Sequence, residues 1–267
     1  MWSILLLSLA SAQDIVGTED AGQEFDESVT TLSAELGGSI TTGNTDVYNL
    51  SAGILGSHKA GKNKVGLFVK TLFGSSITDQ NDNGRIDDFD KDQGRQTTSQ
   101  RFNSEIRYDR FLGERVSLYF LAGALVDRFA GFDLRTHEQI GVSYLAVNSE
   151  PTKLMLELGF DWAQENFAST ADGPLDPDYQ DVFAARLLAG FSHNFSESVG
   201  FTNTLELYPN VVELEDFRLL NDAALSAKLS DKFSVRFSHE LTFDNQPVPD
   251  FVKLDQTTRI AIVASIL

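Results

Sequence analysis

Residues 153–167, KLMLELGFDWAQENF, alternate strictly between two kinds of side chain. Leu154, Leu156, Leu158, Phe160 and Trp162 fall on one parity, and Met155, Glu157, Gly159, Asp161, Ala163 and Glu165 on the other. Successive side chains of a strand point to opposite faces, so the pattern predicts a strand with one apolar and one wettable face. Strands of soluble proteins usually run to about five or six residues, whereas crossing a bilayer takes about 9–11 in a tilted strand. This segment is long enough to cross. Its leucine face then belongs in lipid, and Glu157 and Asp161 belong in the lumen of a barrel.

No run of the chain approaches the roughly 18 apolar residues of a spanning helix. A chain that crosses with strands must close into a barrel, which leaves no backbone donor or acceptor unpaired in hydrocarbon. Cysteine is absent, excluding a disulfide framework and thiolate chemistry. A net charge of −18 argues against nucleic acid, whose phosphates it would repel.

Read in order, residues 1–12 (MWSILLLSLASA) have a short apolar core and an A-S-A ending, the pattern of a cleaved secretory signal. Residues 13–28 are acidic and aperiodic, a flexible periplasmic lead-in. From residue 29 to 267 twelve strand-like segments follow: 31–40, 48–58, 64–73, 100–112, 115–129, 133–147, 153–167, 182–195, 199–208, 217–229, 233–243 and 252–267. Twelve is even, as single-chain bacterial barrels require. Every second connection is short, and most of the intervening ones are long, notably 77–99 and 168–181. Short periplasmic turns alternating with longer outer loops is the asymmetry of an outer-membrane barrel, with both termini in the periplasm. The expected fold is all-β: a transmembrane antiparallel β-barrel of about 12 strands in the bacterial outer membrane.

Three stretches carry a resemblance. The turn S-x-T-T-G-N-T-D at 39–46, the R-Y-D-R-F-L turn at 107–112, and D-R-F-A-G-F-D-L-R followed by G-V-S-Y are similar in order and spacing to the salt-induced outer-membrane protein family (YdiY-like, a domain of unknown function). The resemblance covers roughly residues 32–267, and the 77–99 insert is long for that family. It implies a Gram-negative outer-membrane barrel, with insertion machinery, outer-membrane lipid and lipopolysaccharide as partners. It implies no mechanism.

Sorting the segments by parity assigns charges of both signs to the lumen: Arg101, Glu105, Arg107, Asp109, Glu157, Asp161, Arg186, Glu206, Arg218, Asp222, Arg236, Glu240, Asp255 and Arg259. Such residues either pair with one another and fill a narrow barrel or line a narrow pore for small hydrophilic solutes. The unbalanced acidic charge lies in the loops.

The sharpest local motif is 79–90, DQNDNGRIDDFD. It matches the calcium loop D-x-[DN]-x-[DN]-G-x₅-E at each ligand position, with Asp90 in place of the final Glu. Asp79, Asn81 and Asn83 would give side-chain oxygens, Arg85 its carbonyl, Asp87 a water-mediated contact and Asp90 the closing carboxylate. With Asp one methylene shorter than Glu, affinity falls in the weak class of extracellular modules, on the order of 10⁻⁴–10⁻³ M. No helix is expected beside this loop. The alternative is an acidic, solvated outer loop without a cation.

The four histidines, His58, His137, His193 and His239, show no metal-ligand spacing. His193 and His239 fall on predicted lipid faces, where an outer-membrane lipid hydrolase would use them, but no triad is legible and no enzyme activity is expected. Glu138, Asn203 and Asn221 also interrupt lipid faces. Counting outward from the loop at 209–216 places Asn203 opposite Asn221, where they would bond to each other. The three residues mark either rim positions or a wrong local parity, or else a protein–protein contact surface in the membrane, with a homo-oligomer among the partners it would admit. The function expected is a narrow, weakly selective channel with a cation-binding outer loop. The alternative is a closed structural or interaction barrel at the cell surface.

Overall fold

The computed structural model describes residues 28–41, 46–77, 88–169, 178–247 and 252–266. Twelve strands run in chain order: β1 (Ser28–Thr41), β2 (Asp46–Ala60), β3 (Asn63–Ile77), β4 (Gln96–Phe111), β5 (Val116–Asp127), β6 (Phe132–Ser149), β7 (Thr152–Phe167), β8 (Tyr179–Asn194), β9 (Val199–Pro209), β10 (Phe217–Lys228), β11 (Phe233–Asp244) and β12 (Leu254–Ser265). Each pairs antiparallel with its chain neighbours, and β12 returns to β1. The closing pair runs from Ser33↔Ser265 to Gly37↔Ala261. Along these five rungs closure leaves no open sheet edge, so the backbone groups there hydrogen-bond inside the sheet. This is a closed, twelve-stranded antiparallel β-barrel of the transmembrane type.

Alternation sorts the wall as the sequence predicts. On β7 the inward Met155, Glu157, Asp161, Ala163 and Glu165 are buried, while Leu156, Leu158, Phe160 and Trp162 face outward and are exposed. An exposed leucine face in water would be costly, at about 25 cal/mol per Å²; lipid removes that cost. Aromatic side chains mark both borders of the outer band on β8. Phe183 stacks on Trp162 (6.2 Å) towards one end, and Phe191, His193 and Phe195 cluster towards the other.

Turns join β2 to β3, β4 to β5, β6 to β7, β8 to β9 and β10 to β11 at one rim, the short-turn end. The opposite, long-loop end carries a short helix, α1 (Asp88–Asp92), after β3, and a single 3₁₀ turn, Arg128–Ala130, closed by Gly131 at φ 88°. Helix α1 corrects the expectation that no helix adjoins the 79–90 loop. Its turn is sealed by Gln93 and Gly94 donating back to the carbonyls of Asp90 and Lys91, and Gly94, at φ 83°, ends it.

Inside the wall the short-turn half is partly apolar. Leu145, Met155 and Leu188 form one buried cluster, and Leu55, Phe68 and Val263 another. Most of the buried charged residues lie between these clusters and the long-loop rim, while Lys59, Lys64 and Asp109 are buried on the short-turn side of Leu55 and Phe68.

Candidate functional site

The interior is built around two carboxylates on β7 and one on β11. Glu157 is completely buried and takes Arg107 of β4 at 2.7 Å and Arg186 of β8 at 2.5 Å, while Ser143 donates to it from β6. Arg107 and Glu157 stand three strands apart, so their bond crosses the interior instead of running along the wall. Arg107 also forks onto Asp109 at 2.8 and 2.9 Å, the two-pronged geometry a guanidinium makes best. Arg186 donates to Glu206 at 2.6 Å and to the hydroxyl of Tyr208 at 3.1 Å.

One rung explains how this chain of charges is held. Tyr119, Gly141, Gly159 and Arg186 are register partners across β5, β6, β7 and β8. Tyr119 is inward and buried, and a Cβ added at Gly141 or Gly159 would collide with its ring. Two glycines therefore let the phenol lie flat across two strands until its hydroxyl accepts from Arg186 Nη1 at 3.0 Å. Arg107 stacks on the same ring, 4.2 Å from its centroid.

Towards the long-loop end, Glu240 collects Arg101 (2.8 Å), Arg259 (2.6 Å) and Lys70 (3.8 Å). Arg101 is on β4 and Glu240 on β11, five strand steps apart the short way round a ring of twelve. That bond spans the barrel almost along a diameter. Glu165 pairs with Arg218 from β10 and with Arg135 at 3.1 Å, and Arg218 continues to Asp244 at 2.9 Å. Arg236 reaches Asp222 at 3.4 Å. Asp161 accepts from Gln139 at 2.8 Å and lies 3.3 Å from His137, whose other ring nitrogen is 3.9 Å from Glu105. Asp255, second residue of β12, is exposed near the rim. At the same rim the loop residue Asp216 is buried; burial pushes its carboxyl upward, against the hydrogen bond from Asn210 at 3.0 Å.

Sequence reasoning left Lys70, Tyr119, Arg135, His137 and Tyr208 out of the interior, and placed Glu165 on the wettable parity of residues 153–167 without naming it as luminal. Lys70 and Glu165 carry the same parity signal as their neighbours. Tyr119 does not, because β5 reads VSLYFLAGALVD, apolar on both parities.

Of the calcium motif, Asp79, Asn81, Asn83, Arg85 and Asp87 lie outside the described residues. Asp90 is buried within α1. No metal-ligating cluster occurs among the described residues. Asn203 and Asn221 face outward, but two residues out of register: Asn203 pairs with Ala223, and Asn221 with Leu205. Each amide donates to a backbone carbonyl of the other strand, Asn203 to Asp222 (3.4 Å) and Asn221 to Thr204 (2.9 Å), so they do not bond to each other as expected.

A family profile described as "Protein of unknown function, DUF481" matches residues 34–266. The chain belongs to the DUF481 family. The match takes in β2 to β12 whole and β1 from Ala34 onward, so the charged interior falls within it. No curated protein matches the sequence. Among solved structures, the NanC porin is similar with TM-score 0.50 at 10% identity, covering 89% of this chain and 100% of that one. The translocator domain of the autotransporter NalP from Neisseria meningitidis gives 0.44 at 12% identity, covering 90% and 88%. An outer membrane channel from Pseudomonas putida F1 gives 0.46 at 8%, covering 93% and 98%. At 10% identity the likeness to the NanC porin is one of fold.

Proposed function

We propose that this DUF481 barrel is a non-enzymatic, narrow and weakly selective channel for small hydrophilic solutes, held nearly shut by ion pairs that cross its lumen. The Arg101–Glu240 bond, close to a diameter of the barrel, is the observation that carries the reading. A lumen lined by paired charges of both signs offers polar contacts to a hydrated solute without strong preference for either sign. The second reading, a closed structural barrel at the cell surface, draws support from the near-complete burial of Arg107, Arg186 and Arg236. In it, the acidic outer loops meet cation-bridged lipopolysaccharide.

Planar-bilayer recording separates the two. Wild type should show small, infrequent steps, and Arg101→Ser should enlarge them, since Glu240 keeps Lys70 and Arg259 as partners. Silence from both proteins would leave only the closed barrel.

Calcium belongs to the same proposal. Isothermal titration of the purified barrel should give saturable heat in the range on the order of 10⁻⁴–10⁻³ M, lost in Asp79→Ala. Absence of saturable heat below about 5 mM removes the cation site.

A further inference from the structure

The outer wall is not uniformly apolar. Across β9–β12 one rung reads Asn203–Ala223–His239–Thr258, and the next towards the long-loop end reads Leu205–Asn221–Leu241–Gln256. These two rungs lie between wholly apolar ones: Phe201–Leu225–Phe237–Ile260 below, and Leu207–Leu219–Phe243–Leu254 above. On β11 the aromatic ends Phe233 and Phe243 bracket His239, which places the patch within the hydrocarbon band rather than at its rim. The wall at β7–β8 differs: its rungs from Leu154–Phe191 through Leu156–Ala189, Leu158–Leu187 and Phe160–Ala185 to Trp162–Phe183 are all apolar.

Polar side chains facing lipid are costly because tails supply no hydrogen-bond partner. Some of the cost is met within the wall. Asn203 and Asn221 donate to carbonyls, and His239 Nδ1 lies 2.9 Å from Thr258 Oγ1. Both asparagine oxygens and the other histidine nitrogen remain, and exposed Gln256 makes no side-chain hydrogen bond among the described residues.

We propose that this face docks a second copy of the same chain within the membrane. An amide carries donor and acceptor together, so the patch turned by a half-rotation onto itself sets donors against acceptors. It holds no Asp, Glu, Lys or Arg, so two copies meet without like-charge repulsion, and a charged partner finds nothing to grip. Ala223 at its centre allows the walls to approach closely.

The chain has no cysteine, so Ala223→Cys introduces its sole thiol. Oxidation in isolated outer membranes should give a species of twice the monomer mass, while Leu158→Cys on β7 stays monomeric. Adding Asn203→Leu and Asn221→Leu should cut the cross-linked yield by about tenfold. Independently, two differently tagged wild-type copies should co-purify in detergent. A monomeric Ala223→Cys protein with no co-purification, a cross-link to a protein of different mass, or equal cross-linking at Leu158→Cys would each overturn the proposal.

Discussion

Replacing Glu157 by Ala is expected to destabilise the folded barrel by about 3 kcal/mol, near the low end of the roughly 3–5 kcal/mol that breaking a buried ion pair costs. The side chain is fully buried and serves two guanidiniums at once, so its loss strands positive charge from both Arg107 and Arg186. The low end applies because each arginine keeps another carboxylate, Asp109 at 2.8 Å and Glu206 at 2.6 Å. Glu157→Gln keeps an acceptor oxygen and should cost less. Urea titration of the barrel folded into phospholipid vesicles measures both, read as a shift in midpoint at constant slope. A loss below about 0.5 kcal/mol would mean that water already bathes this level, as around exposed pairs. That outcome would favour an open channel over the closed barrel.

The wall was readable in the residues for a physical reason: a membrane strand must satisfy two solvents at once. Where they differ sharply, as on β7 with leucines outside and carboxylates inside, parity alone sorts the faces. It also brought the strand limits close, with β10 and β11 starting at the expected Phe217 and Phe233. Where both parities are apolar, as on β5, the signal vanishes, and Tyr119 passed unnoticed although it joins two arginines. What no single strand carries is which side chains meet across the interior. Arg101 and Glu240 lie 139 residues apart, and their meeting depends on closure and stagger rather than local pattern. The Asn203–Asn221 register failed more simply. Counting from a loop needs the number of residues that the turn consumes, and an error of two residues moves every pairing on that hairpin while keeping each side chain on its face. Helix α1 went unread because five residues are too few to establish a period.

Leu158→Arg, one residue from Glu157 but on the opposite face, should destabilise the barrel by about 2–4 kcal/mol, the depth-dependent cost of Arg at the bilayer midplane. Leu158 is 61% exposed, four residues from Leu154 and four from Trp162, and its register partners Val142 and Leu187 are apolar. No outward-facing neighbour on those rungs offers a carboxylate, so the guanidinium must snorkel or draw water inward. Folding into vesicles of short-chain and long-chain phospholipids adds a second reading. A thinner bilayer brings the headgroups nearer to residue 158, and the penalty should shrink towards the roughly 0–1 kcal/mol seen near the interface. If the wall met water instead, Arg would remove apolar area from solvent and leave stability unchanged or improved, whatever the chain length. A silent Leu158→Arg would therefore strike at the assignment of leucines to lipid. A penalty that tracks bilayer thickness ties alternation in residues 153–167 to the solvent that selects it.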